Sequence, residues 1–291
     1  MSERSDTNDM EGLRDDAVAD LLEEAGPYLP LEVASRRLDG LRNAEILEQP
    51  ELVERILTTT GLKPEEDTAG GVIMPTGEDK LGKVALLENN PDPIIAYHNT
   101  VHEGVHLLGP DSVGGIDFIG RKFFRKSLGP VWSTHYLDDD GKILFSENIL
   151  PEEKIFWEAV SDYVAAQKTA KKFGKDVVDQ KLPEAGAGFT QRYWIELLVN
   201  KHPNPQEVEK TMREALYQGN MTEFLRVLGG RLDNPHVPFY HTLSHYMLEG
   251  EKALNNKQFP EYHAALDKWM RAIETHFANG GAYSLDMRYF Q

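Results

Sequence analysis

The run His102-Glu103-Gly104-Val105-His106 carries the residue types best suited to chemistry in this chain. Two histidines four apart lie one turn along the same face of an α-helix. Their imidazoles can converge on one metal ion at ~2.0–2.1 Å. Glu103 sits one residue round from His102. From there its carboxylate can reach water at the ion without binding the ion, take up a proton and pass it to a leaving amine. A solvated helix with two surface histidines beside a glutamate would share the pattern. Apolar Val101, Val105, Leu107 and Leu108 around the motif argue for a packed helix instead.

Such an ion needs a third ligand, and Ile155–Tyr163 offers one. Glu158 and Asp162 are four apart and share one helix face. Phe156, Trp157, Val160 and Tyr163 around them make a fully exposed helix a poor description. Glu158 can be the third ligand. Asp162, one turn on, can accept a hydrogen bond from the non-ligating nitrogen of a metal-bound histidine, which fixes its tautomer. Two acidic residues on a solvated face are the plainer alternative. His98 extends the stripe of His102 and His106, but three histidines on one straight helix span ~12 Å along the axis. His98 is therefore expected beside the cleft rather than on the ion.

Composition narrows the chemistry. The chain has no cysteine, which excludes disulfides and thiolate metal sites, so a zinc site must use histidine and carboxylate. Its 48 acidic against 31 basic residues give a net charge of -17. That surface repels phosphate backbones and anionic lipids, so neither nucleic acid nor a membrane is the expected partner. No run approaches the ~20 apolar residues of a spanning helix. Met1–Asp6 is polar and acidic, without the pattern of a secretory signal, and a cytoplasmic protein is expected.

The elements that must position these residues follow from periodicity. The first ten or so residues read as disordered. Leu13, Ala17, Val18, Leu21 and Leu22 then mark a helix, followed by helical stretches at about 31–47 and 51–59. Short apolar runs at 70–75 and 83–87, with turn formers Thr76-Gly77-Glu78-Asp79 between them, predict a β-hairpin. Pro93 can open the motif helix, expected over 93–108 and stopped by Gly109-Pro110. A glycine-rich connection follows, then a second hairpin from 131–136 to 143–145 across Asp138-Asp139-Asp140-Gly141, which reads as a turn and not a calcium loop. Helices are expected near 151–173, 187–200, 204–218, 220–229, 238–255 and 259–278. Lys168, Lys171, Lys172 and Lys175 read as a solvated helix end. The simplest division is an acidic tail and helical segment over 1–65 and one catalytic domain over 66–291, with an α+β, mostly helical fold and a small sheet before the active-site helix.

His102-Glu103-x-x-His106 followed by Glu158-Ala159-Val160-Ser161-Asp162 resembles the thermolysin-like gluzincin metallopeptidases over about 80 residues. Trp157 departs from the asparagine usual there. The resemblance implies a zincin-like domain with one catalytic Zn²⁺ on His102, His106 and Glu158, with Asp162 facing His102 and Glu103 as general base. It implies an edge strand above the metal where substrate pairs in extended form, for which Val84–Leu87 is the match. It also implies an oxyanion donor from the C-terminal part. Tyr240, His241 and His245 are the candidates there, each able to serve instead in ordinary aromatic packing. A zinc-dependent peptidase acting on a peptide or protein is thus expected. A cytoplasmic peptidase needs restraint, and helices within 13–59 could cover the cleft. The other reading is a non-catalytic helical interaction protein with a structural zinc site.

Overall fold

Helical periodicity dominates the chain, and the computed structural model describes residues 6–60, 71–76, 82–117, 119–138, 143–185, 188–229 and 238–278. The fold is α+β and mostly helical. The N-terminal elements are α1 (Asp6–Ala25), α2 (Leu31–Arg37), α3 (Asp39–Arg42), β1 (Glu45–Leu47) and α4 (Gln49–Thr60). β2 (Gly71–Thr76), β3 (Gly82–Glu88) and the motif helix α5 (Pro93–Leu108) come next. Four strands follow: β4 (Val113–Ile116), β5 (Lys122–Leu128), β6 (Val131–Leu137) and β7 (Ile143–Glu147). The rest is helical, with α6 (Pro151–Phe173), α7 (Lys175–Lys181), α8 (Gly188–Lys201), α9 (Pro205–Gln218), α10 (Thr222–Gly229), α11 (Pro238–Asn255) and α12 (Phe259–Ala278). Among the described residues no helix is long and apolar enough to cross a membrane.

Several elements differ from what periodicity suggests. Helix α1 begins at Asp6, inside the stretch expected to be disordered. The helix expected over 31–47 is broken: α2 and α3 end before Glu45, and Glu45–Leu47 pairs in parallel with Leu86–Glu88 of β3. Gly40 lets α3 approach that sheet, since a Cβ there would stand 2.3 Å from the Lys83 carbonyl oxygen. The first sheet therefore has the order β1-β3-β2. Val84–Leu87 is its central strand and not its edge; the edge beside the motif helix is β2. The second hairpin is part of a four-stranded antiparallel sheet, β4-β5-β6-β7. Its strand β4 is exposed throughout and holds Gly114 and Gly115, so it carries no alternation to read. The turn residues Gly77–Asp79 and Asp139–Gly141 lie outside the described residues.

One core joins both ends of the chain. Leu21 of α1, Leu41 of α3, Val101 and Val105 of α5, and Phe156 and Val160 of α6 are fully buried in the same cluster. Helices α1 and α3 cross α5 at Gly104, where a Cβ would lie 2.2 Å from Leu21 Cδ1 and 2.9 Å from Leu41 Cδ2. Helix α4 packs through Leu52 and Ile56 against Met74 and Leu86, while Ile73, Ala85 and Leu87 face the main core. The segment expected as a cover thus lies behind α5 and on the outer face of the first sheet.

Lys171, Lys172 and Lys175 are exposed, as expected of a solvated helix end, but Lys168 is buried. Lys168 Nζ lies 2.8 Å from Glu24 and ties α6 to α1 in a sheltered pair, while Lys171 Nζ at 2.9 Å from Glu23 and Lys172 Nζ at 2.6 Å from Asp16 make exposed pairs along the same seam. Glu24 also accepts from Arg213 Nε at 2.6 Å and is nearly buried with both partners. The acidic composition of α1 is what makes this seam.

Candidate metal centre

Helix α5 starts where Asp92 caps it, its side chain accepting from the Ile94 and Ile95 amides, with Pro93 pre-set in the first turn. Tyr97, Val101, Val105 and Leu108 bury one face of it. The opposite stripe, His98, His102 and His106, turns towards α6. Helix α6 presents Glu158, Ser161, Asp162 and Thr169 to that stripe.

Three ligand atoms meet there. His106 Nε2 is 2.8 Å from His102 Nε2 and 3.1 Å from Glu158 Oε2, and His102 Nε2 is 3.4 Å from the same oxygen. The edge of a tetrahedron with bonds of ~2.0–2.1 Å is about 3.3 Å, so the triangle has the size of one face of a four-coordinate zinc site. The partners behind the rings decide which nitrogens bear protons. His102 Nδ1 donates to Asp162 Oδ1 at 2.8 Å. Ser161 gives its own hydrogen to the Trp157 carbonyl and leaves an oxygen lone pair 3.5 Å from His106 Nδ1. Both Nε2 lone pairs therefore point at each other and at a carboxylate oxygen. Three acceptors at this spacing repel unless a cation sits among them, so the donor set fits a divalent metal. His102, His106 and Glu158 form a group able to hold a metal ion.

The electrostatics agree. Burial would raise the Glu158 carboxyl, but the two histidines outweigh it and hold the group well below the usual carboxylate range. Burial would depress His102, but the carboxylates of Asp162 and Glu158 hold it well above the usual histidine value. The site thus draws positive charge to its centre even by protonation. Glu103 is different: burial pushes its carboxyl up. It packs under the edge strand, where a Cβ on Gly71 would stand 2.6 Å from Glu103 Cγ and 3.2 Å from Oε1.

No family model, curated protein or solved structure was found to match the chain.

The structure brings His102 and His106 of α5 together with Glu158 and Asp162 of α6, and Glu103 adjoins His102 in the chain. His98 is fully buried, with Nε2 3.5 Å from Asp162 Oδ1, so it backs the carboxylate that orients His102. Tyr240, His241 and His245 take other partners. Tyr240 is buried among Phe156, Trp157 and Phe224, and its hydroxyl accepts from Trp157 Nε1 at 3.0 Å. His245 is exposed and pairs with Glu249 at 3.3 Å. His241 is exposed, stands against the Tyr240 ring and faces the Glu153 carboxyl. Two site residues escaped sequence reasoning. Gly71 carries no chemistry to notice. Lys126, on β5, donates to the Ile73 carbonyl at 2.9 Å and acts electrostatically on Glu103 and Glu158. The run Lys122–Leu128 carries no polar-apolar alternation that would have marked it.

Proposed function

We propose that this protein is a zinc-dependent peptidase of gluzincin type, with His102, His106 and Glu158 holding the ion. The observation that carries the proposal is the triangle of two imidazole nitrogens and one carboxylate oxygen, with the Glu103 carboxyl within electrostatic reach of all three residues. Zinc held there supplies a Lewis acid that polarises a carbonyl and acidifies water. Glu103 accepts the proton from the attacking water on a carboxylate oxygen and returns it to the departing amine nitrogen. Burial favours its protonated form, which suits a group that must hold a proton between the two steps. Asp162 keeps His102 in the tautomer that turns Nε2 inward, and His98 holds Asp162 in place. Among the described residues β2 pairs only with β3, so its free edge can take an extended peptide by strand addition.

The test is zinc content and peptide hydrolysis for the wild type and Glu103→Gln. One zinc per chain in both proteins, with turnover in the wild type alone, is the expected result. Zinc in both with turnover in neither would favour a structural zinc site in an interaction protein. A chain that takes up no zinc would overturn the proposal.

A further inference from the structure

The edge strand β2 works as a ruler across the centre. Its first residue, Gly71, backs directly onto Glu103, and Ile73, two residues along, accepts from the ammonium of Lys126. Two residues of strand span about 7 Å. A fixed positive charge therefore stands roughly one peptide unit or two from the general base. Lys154 adds a second one. It lies four residues before Glu158, hence on the same face of α6, and is exposed at the rim.

Lys126 is unusual for its surroundings. The chain has 48 acidic residues, and most of its other sheltered cations find one: Lys168 and Arg213 share Glu24, Arg192 meets Asp179 and Arg37 meets Asp111, whereas Lys83, away from Glu103, donates to the Pro110 carbonyl. Lys126 is half-buried and has no carboxylate within ion-pair distance among the described residues. Burial lowers its pKa, and Glu103 and Glu158 oppose that from further away. An ammonium has three N–H donors, and the Ile73 carbonyl takes one. A sheltered cation with donors to spare, beside a centre that handles peptides, is a receptor for an anion.

We propose that Lys126 receives a carboxylate of the substrate close to the scissile bond, with Lys154 at the rim, so that the centre selects acidic peptides. The carboxylate is either an Asp or Glu side chain or the free end of the chain; both present the same group to the ammonium. This rests on the peptidase reading of the same centre.

The test uses binding, so that it does not depend on turnover. Zinc-loaded full-length Glu103→Gln protein is titrated with three labelled peptides of one core sequence. One carries Glu and an amidated end, one Gln and a free carboxylate, one Gln and an amidated end. One of the two carboxylate peptides is expected to bind about tenfold or more tighter than the neutral one, the range of a charge-assisted hydrogen bond. Which one does so identifies the source. Adding Lys126→Met should erase the gap while leaving the neutral peptide within about twofold, and Lys126→Arg should keep the gap. Equal binding of all three, no binding of any, or a gap that survives Lys126→Met overturns the proposal. A uniform loss across all three also overturns it and makes Lys126 a tether between the sheets. A gap without hydrolysis by the wild type would sink the peptidase reading and leave Lys126 as an anion site; hydrolysis without a gap would do the reverse.

Discussion

Asp162 Oδ1 lies 2.8 Å from His102 Nδ1, on the side of the ring away from Glu158. The same oxygen is 3.5 Å from His98 Nε2, so one carboxylate joins two histidines one helical turn apart. Carboxylates that hold a ligating histidine ring in this way typically contribute 10–100-fold to metal affinity. Asp162→Asn should therefore weaken zinc binding by about that factor, read by competition with a chromogenic chelator. An unchanged affinity would show that His102 needs no orienting partner.

On the proposed peptidase reading, Gly71→Ala should separate metal binding from catalysis. The new Cβ would fall 2.6 Å from Glu103 Cγ, and that side chain is almost wholly buried, so it must shift. His102, His106 and Glu158 lie on two helices and need not follow. Zinc content should stay at that of the wild type while kcat drops by about 100-fold, the size of effect expected of a displaced catalytic group. Loss of zinc together with activity would contradict this separation.

Glu24→Ala should be among the more destabilising changes outside the centre. It leaves Lys168 and Arg213, both sheltered, without a shared carboxylate. Removing one partner of a buried ion pair costs about 3–5 kcal/mol. Urea unfolding of the wild type and variant would measure it. A difference below about 1 kcal/mol would mean that Glu209, already 2.7 Å from Arg213 Nη1, and water suffice for the two cations.

The same seam gives a direction to acid unfolding. Burial would raise the Glu24 carboxyl, but Arg213 and Lys168 outweigh it and hold its folded pKa below the usual 4.5. A carboxyl with a depressed folded pKa contributes stability that is fully present above its unfolded value and is lost as pH falls through the folded one. Stability should therefore drop below about pH 4.5 in the wild type. Glu24→Gln should flatten that part of the curve, measured by chemical unfolding between pH 3 and 6. A curve of unchanged slope would place the acid sensitivity elsewhere.

On the proposed reading zinc should also stabilise the fold, because the three residues that could hold it come from both α5 and α6. A ligand at 100 times its Kd adds about 2.7 kcal/mol. Removal by chelator should lower Tm, and the drop should vanish in His106→Ala. A drop that persists in His106→Ala would point to a second metal site.

Local pattern was enough for much of this. The helices over 93–108 and 151–173 were legible because four-residue spacing on a helix is itself geometry: it puts His102 with His106 and Glu158 with Asp162 whatever the rest of the chain does. The absence of cysteine restricted the ligands to histidine and carboxylate for the same local reason. Tertiary structure alone decided the rest. Strand β1 reads as helix because its three residues take their extended shape from pairing with β3, a partner far along the chain. Sheet order made β2 the edge and Val84–Leu87 the centre, which no property of either strand reveals. Lys168 reads as solvated like its exposed neighbours because the partner that shelters it, Glu24, lies over a hundred residues away. Lys126 belongs to the centre only because β5 runs past Ile73. Spacing within one element is set by the backbone, whereas contact between elements is set by how distant apolar faces bury one another, and only the folded chain carries that information.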